Sequence, residues 1–286
     1  MEAETPTPYG RPEAIEDLSN RWLIHPLSER LVRLARALDL TPNQLSCLGL
    51  ACGLAAALFY LHTPGAPFAI GGFLCMAAWH VFDGADGRLA RLTGQTSAFG
   101  RVIDGLCDHL VFTAIYLALA WTLSARGWGL EAFGLALAAG LSHAVQAAGY
   151  EARRQRHQRR AQGLAPTAIE AGGGLERLYG FAQRLADVSP SPFDSVLADR
   201  RLTPDERANV LRLSARHVRL WSALNANNRT LAIFLFALAG RPEFYFLYEL
   251  LVLNALYALG VLVEPRLEAW ALRRNAPKAV LTQEAQ

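Results

Sequence analysis

The sequence is poor in charge and in cysteine. Charged residues are 19% of the 286, against 52% hydrophobic ones, a balance more apolar than that of a soluble domain. The four cysteines, Cys47, Cys52, Cys75 and Cys107, fall in apolar stretches without a Cys-x2-Cys spacing. They read as small buried hydrophobes and argue against a disulfide framework or a thiolate metal cluster. The first forty residues hold Pro6, Pro8 and Pro12 and lack the early apolar core of a cleavable signal. What remains is the composition of a membrane protein with polar ends.

Apolar spans are expected at about 43–62, 66–90, 101–124, 130–150, 228–244 and 246–264. Each is close to the ~20 residues needed to cross ~30 Å of hydrocarbon. Residues 1–12 read as a disordered lead. Residues 14–39 place Leu27, Leu31, Leu34, Ala35 and Leu38 on one stripe flanked by Arg30, Arg33 and Arg36, the pattern of a helix lying in the membrane interface. Thr41-Pro42-Asn43 then caps the first span, with proline at its first position. Between the fourth and fifth spans lies a polar, helix-prone insert, 151–227, interrupted at Gly172-Gly173-Gly174 and at Pro190 and Pro192. The fold class is therefore all-α and integral to the membrane, with six transmembrane helices. The domain plan is an N-terminal tail with its interfacial helix over 1–40, a six-span domain over 41–264 and a C-terminal tail over 265–286.

One side of this layout is almost without positive charge. With the amino terminus inside, 26 of the 28 Lys and Arg residues fall on one side, and only Arg126 and Arg241 fall on the other. The positive-inside rule then puts both termini and the insert in the cytoplasm, as in a multi-pass protein of the bacterial inner membrane.

Against this background four aspartates stand out. Asp83 and Asp86 lie at the cytoplasmic end of the second span, and Asp104 and Asp108 at the start of the third. Spacings of three and four put each pair on one helix face. Carboxylates near an apolar interior are costly unless paired or bound to metal, so four converging ones indicate a cation site. Oxygen donors suit Mg²⁺ or Mn²⁺, and one or two such ions would roughly offset the charge. Gly84, Gly87, Ala90 and Gly100 remove side chains on the same faces, which lets a ligand approach closely. Arg91, one turn beyond Gly87, is placed to reach phosphate oxygens. Small residues in membrane helices also serve as plain packing surfaces, and lone aspartates as ion-pathway residues. The full set in register favours a diphosphate site held through metal.

This register resembles the signature of the CDP-alcohol phosphotransferase family, Asp-x2-Asp-Gly-x2-Ala-Arg-x8-Gly-x3-Asp-x3-Asp. Asp83, Asp86, Gly87, Ala90, Arg91, Gly100, Asp104 and Asp108 match all its fixed positions, over residues 83–108. The resemblance implies a phosphotransferase of phospholipid biosynthesis that moves a substituted phosphate from a CDP-alcohol to an acceptor hydroxyl with release of CMP. It implies Asp83, Asp86, Asp104 and Asp108 as metal ligands, with Asp108 also the general base. Gly87, Ala90, Arg91 and Gly100 would bind the CDP donor. CDP-diacylglycerol is the expected donor, membrane lipids and a second copy of the chain are expected partners, and nucleic acid is not.

The acceptor pocket is expected near the end of the fourth span, where the chain reads Tyr150-Glu151-Ala152-Arg153-Arg154-Gln155-Arg156. Arg153 and Arg154 are candidates for an acceptor phosphate, and the alternative is a basic cluster that anchors the helix to anionic lipid. Relatives that use inositol phosphate carry basic residues two and four positions after the tyrosine. Here Arg154 matches the second and Ala152 replaces the first. His80 and His109 flank the aspartates, and His143, Gln146 and Asn254 lie within spans, all with structural hydrogen bonding as the plain alternative. A divalent-cation transporter or channel built on the aspartates is the competing function. It is disfavoured because no broken half-helices recur in two matching repeats.

Overall fold

The structure is a computed structural model that describes residues 13–96, 98–164, 191–198 and 202–275. The side chains of 13, 98–105 and 275 lie outside that description. So do the expected lead at 1–12, the glycine break at 172–174, Pro190 and the tail from 276. All regular structure among the described residues is helical. Five helical segments are long and apolar enough to cross a membrane: Pro42–Tyr60, Ala66–Thr93, Leu106–Trp128, Glu131–Ala161 and Pro242–Arg274. The chain is a membrane protein.

Two compact units divide the chain. The first holds 17–143 and 226–252, and contains α1 (His25–Ala37), α2 (Pro42–Tyr60), α3 (Ala66–Thr93), α4 (Ala98–Leu123) and the start of α5 (Glu131–Ala161). In the second, described residues of 144–225 and 253–275 include the end of α5, α6 (Pro192–Leu197) and α7 (Pro204–Leu220). Farther along the chain come α8 (Ala226–Leu238) and α9 (Pro242–Leu247), both in the first unit. A π-helical turn, Tyr248–Leu253, leads from α9 into α10 (Asn254–Asn275), which belongs to the second.

Local chemistry sets the ends of α2 and α3. Thr41 has an extended backbone and forms a capping box with Gln44, whose side chain accepts from the Thr41 N–H at 2.8 Å. This satisfies donors the first turn leaves open, and Pro42 needs none. α3 stops at Gly94, whose φ of 68° is the left-handed conformation a glycine adopts without strain. Gln95 N–H then bonds back to Ala90 O at 2.9 Å, closing the helix and starting the reversal toward α4.

The core of the first unit is built on Tyr60, Met76, Ile115, Leu119, Leu123, Ile233 and Phe246, all essentially solvent-free. Around it, large apolar side chains such as Leu58, Leu74, Leu117, Leu137 and Leu141 point outward. That pattern suits lipid rather than water as the surrounding medium.

α1 departs from the expected single stripe. It buries Ser28, Val32 and Ala35, packing Val32 and Ala35 with Leu45, Ala85 and Leu89. Ser28 donates to Val81 O at 2.8 Å, and its Oγ lies 2.8 Å from where a β-carbon on Gly84 would stand. Leu34 and Leu38 remain exposed on an adjacent face. The helix thus divides its apolar residues between a protein-facing row and an outward row.

The expected fifth span, 228–244, is divided: α8 ends at Leu238, Gly240 takes a φ of 72°, and α9 starts at Pro242. The 13 residues of α8 are shorter than a full crossing requires.

Candidate active site

Two helices of the first unit bring the aspartates together. Asp83 and Asp86 lie in the last three turns of α3, and Asp108 lies about three turns into α4. All three line one small cleft of about 10 Å³, with Ser46, Gly49, Trp79 and Cys107. That is room for one water-sized particle. The Asp86 side chain is 95% removed from solvent, at 5% exposure. Ser46 on α2 donates to its Oδ2 at 2.5 Å. Asp104 falls one helical turn before Asp108 on α4, but its side chain and Gly100 lie outside the described residues.

Gly87 explains where Arg91 goes. A β-carbon on Gly87 would stand 3.4 Å from Arg91 Nη1, so the arginine folds back over the bare glycine one turn earlier. Arg91 itself stays solvent-exposed, one turn beyond Gly87 on the stripe that also carries Asp83. Arg88, pointing elsewhere, is buried and bonds Glu29 of α1 at 3.3 Å.

A metal fits this set by donor chemistry. Asp83, Asp86, Asp108 and Ser46 present only oxygen, the ligand type of hard divalent cations. Carboxylates crowded into one partly buried cleft repel one another, and a divalent charge offsets that cost. Among the described residues no three His, Cys, Asp or Glu side chains already stand in ligating positions.

Sequence reasoning missed a second polar group in the same unit. Arg229 and Glu249, 1% and 0% exposed, form an ion pair at 3.2 Å. Tyr245 donates to Glu249 at 3.1 Å and shares a 2.6 Å hydrogen bond with Tyr116, which also meets His143 Nδ1 at 3.2 Å. His80 bonds Thr230 at 2.8 Å and is otherwise packed against Trp79. The signal that was available is Glu249 itself, a single carboxylate in the apolar run Tyr248-Glu249-Leu250-Leu251-Val252.

The acceptor candidates lie in the second unit. Arg153 is buried, bonds Glu264 at 2.8 Å and Gly149 O at 2.9 Å, and stacks on Trp221 with 3.6 Å to the ring centroid. Arg154 is less enclosed and pairs with Glu151 at 3.1 Å. Gln146 and Asn254 bond to each other at 2.8 Å, the interhelical option for that pair.

Comparison with known proteins bears directly on the aspartate cleft. Residues 39–171 match the CDP-alcohol phosphatidyltransferase family. Over that segment the chain resembles a CDP-alcohol phosphatidyltransferase domain. The segment contains α2, α3, the turn after Gly94 and the entire 83–108 register. Its relatives include a phosphatidylinositol phosphate synthase of Mycobacteroides abscessus, 34% identical over 109 residues, which are 37% of this chain and 45% of that protein. An archaetidylinositol phosphate synthase of Pyrococcus horikoshii is 36% identical over 96 residues, 32% of this chain and 47% of that protein. A CDP-diacylglycerol–serine O-phosphatidyltransferase of Mycobacterium leprae is 36% identical over 88 residues, 30% of this chain and 26% of that protein. The chain spans less than half the length of each of these relatives.

Proposed function

We propose that this protein is a membrane-embedded transferase of phospholipid biosynthesis. It moves a phosphatidyl group from a CDP-alcohol, with CDP-diacylglycerol the favoured donor, to an acceptor hydroxyl and releases CMP. The observation that carries this reading is the complete aspartate register inside the family-matched segment, with Asp83, Asp86 and Asp108 lining one cleft beside Ser46.

The chemistry follows from the residues. Asp83, Asp86, Asp104 and Asp108 would hold one or two Mg²⁺ or Mn²⁺ ions. Bound there, such ions supply charge neutralisation and polarisation of the donor diphosphate. Arg91, folded over Gly87, reaches phosphate oxygens, and Gly87, Ala90 and Gly100 leave space for the CDP moiety. Asp108 accepts the proton of the acceptor hydroxyl as that oxygen bonds to the β-phosphorus. The bond from the β-phosphorus to the bridging oxygen breaks, and CMP leaves with the electron pair.

Membrane placement follows the same reading. Six crossings, with α8 and its flanking turns as the fifth, put the aspartate end of α3 and both termini in the cytoplasm. The outward row of α1, Leu27, Leu34 and Leu38, lies in the lipid interface with Arg30, Arg33 and Arg36 beside it. A homodimer is the expected assembly.

For the acceptor, Arg154 is the better phosphate candidate of the two arginines. Arg153 is already committed to Glu264, Gly149 and Trp221, which supports an anchoring role. Purified protein supplied with CDP-diacylglycerol and a panel of glycerol 3-phosphate, inositol, inositol phosphate, serine and choline tests the assignment. Stimulation of CMP release by one of them supports it. Transport of a divalent cation across vesicles without CMP release from any CDP-alcohol would support the transporter reading instead.

A further inference from the structure

We propose that Ser46 is a positioning residue of the aspartate cleft, holding the Asp86 carboxylate in the orientation that cation binding requires. The inference rests on the reading above, that these aspartates bind a divalent cation. It concerns a residue on α2, outside the 83–108 register.

Three observations carry it. Ser46 Oγ lies 2.5 Å from Asp86 Oδ2, and the same hydroxyl lines the cleft with Asp83 and Asp108. A serine hydroxyl has one proton to give. The alternative acceptor, Pro42 O one turn back, is farther away at 3.2 Å. The carboxylate is therefore the preferred partner, and a bond to an ionised acceptor is the stronger kind.

Next, Ser46 is itself held on both sides. Leu45 before it is solvent-free and packed with Val32, Ala35, Ala85 and Leu89. Gly49, one turn after it, faces Phe82, whose β-carbon would lie 3.0 Å from a β-carbon placed on that glycine. Phe82 is one turn before Asp86 on α3. The close approach of α2 and α3 at Gly49 thus sets the span that the hydroxyl bridges.

Last, Asp86 is the most enclosed of the described carboxylates in the cleft. A buried carboxylate lacking its hydroxyl partner would turn toward whatever donor remained, including Arg91. Bonds of this kind to a ligating carboxylate contribute roughly ten- to a hundredfold to metal affinity where they have been removed.

The test uses the full-length protein in detergent and reads Mn²⁺ binding from the free-ion EPR signal, without substrate. Ser46→Ala is expected to weaken Mn²⁺ binding about tenfold. Ser46→Thr, which keeps the hydroxyl, is expected to restore it to within about threefold of wild type, well inside that tenfold window. In the activity assay Ser46→Ala should raise the Mn²⁺ concentration needed for half-maximal CMP release and leave the donor KM at saturating metal unchanged. Ser46→Cys, close in volume but a weak donor, should behave like alanine and guards against a folding defect. Wild-type Mn²⁺ affinity in the alanine and cysteine variants overturns the proposal, and so does a threonine variant as weak as alanine. Asp86→Asn separates the two levels. If Asp86→Asn loses Mn²⁺ while Ser46→Ala does not, only the positioning role fails. If Asp86→Asn and wild type bind alike, the cation reading fails with it.

Discussion

Arg229 and Glu249 form an ion pair at 3.2 Å with both side chains almost wholly removed from solvent, inside the same unit that carries the aspartate cleft. Tyr245 donates a further hydrogen bond to the carboxylate, at 3.1 Å. Each charge is tolerated there only because the other is present. Arg229→Met alone should destabilise the protein by about 3–5 kcal/mol, since it leaves a buried carboxylate without its cation. The double variant Arg229→Met, Glu249→Leu should recover most of that loss. Thermal unfolding of the four proteins in detergent checks the cycle, and equal losses in the single and double variants would argue against a coupled pair.

Gly87 lies directly beneath Arg91, whose Nη1 would be in van der Waals contact, at 3.4 Å, with a β-carbon placed there. A branched side chain at this position should displace the guanidinium from its place beside Gly87 without disturbing the buried face of α3. Gly87→Val is therefore expected to raise the donor KM roughly ten- to a hundredfold, the loss of one charge-assisted hydrogen bond of about 1.5–3 kcal/mol. A steady-state titration of donor at saturating acceptor measures it, and an unchanged KM would remove Arg91 from the donor site.

Arg153 and Arg154 are neighbours with different surroundings, so their alanine variants should differ in kind. Arg153→Ala removes an ion pair with Glu264 and a stack on Trp221. It should lower thermal stability by about 2–4 kcal/mol, combining a largely buried pair with a desolvated cation–π contact. Arg154→Ala should leave stability within about 1 kcal/mol of wild type, as for a partly exposed helix pair. If Arg154 binds an acceptor phosphate, its loss raises the acceptor KM well above any change in the donor KM.

Chelation should stop the reaction reversibly. EDTA is expected to abolish CMP release and added Mg²⁺ or Mn²⁺ to restore it, with Ca²⁺ a poorer substitute because it favours more ligands at longer distances. Activity unaffected by thorough chelation would contradict a metal-held diphosphate.

How far the molecule is legible in its sequence varies with the kind of interaction. The start of α2 is readable because a capping box and an N-terminal proline act within four residues, and Thr41, Pro42 and Gln44 carry it. The reversal between the aspartate pairs is readable for the same reason, through Gly94. Asp83, Asp86 and Asp108 meet in one cleft because helical spacing puts charge on a face that has no other use for it. Ser46 is not readable, since a serine in an apolar helix has no periodic signature and its partner lies 40 residues away. The Arg229–Glu249 pair has the same character, with the added difficulty that an arginine next to asparagines at a helix start resembles an anchor. The division of 228–244 turns on Gly240 and Pro242, which lie only a few residues from the end of that apolar run. Hydrophobicity alone does not distinguish a crossing of one piece from a shorter helix with flanking turns.

The central claim is that Asp108 takes the proton of an acceptor hydroxyl while CMP departs from a CDP-linked donor. Its most direct test is CMP release by purified full-length protein and by its Asp108→Asn variant, with CDP-diacylglycerol, Mn²⁺ and the acceptor identified from the panel. Wild type should release CMP only when that acceptor is present, and the variant should be slower by about 10²–10⁴-fold. Full activity in the variant, or no CMP from any CDP-alcohol with any acceptor, would contradict the account.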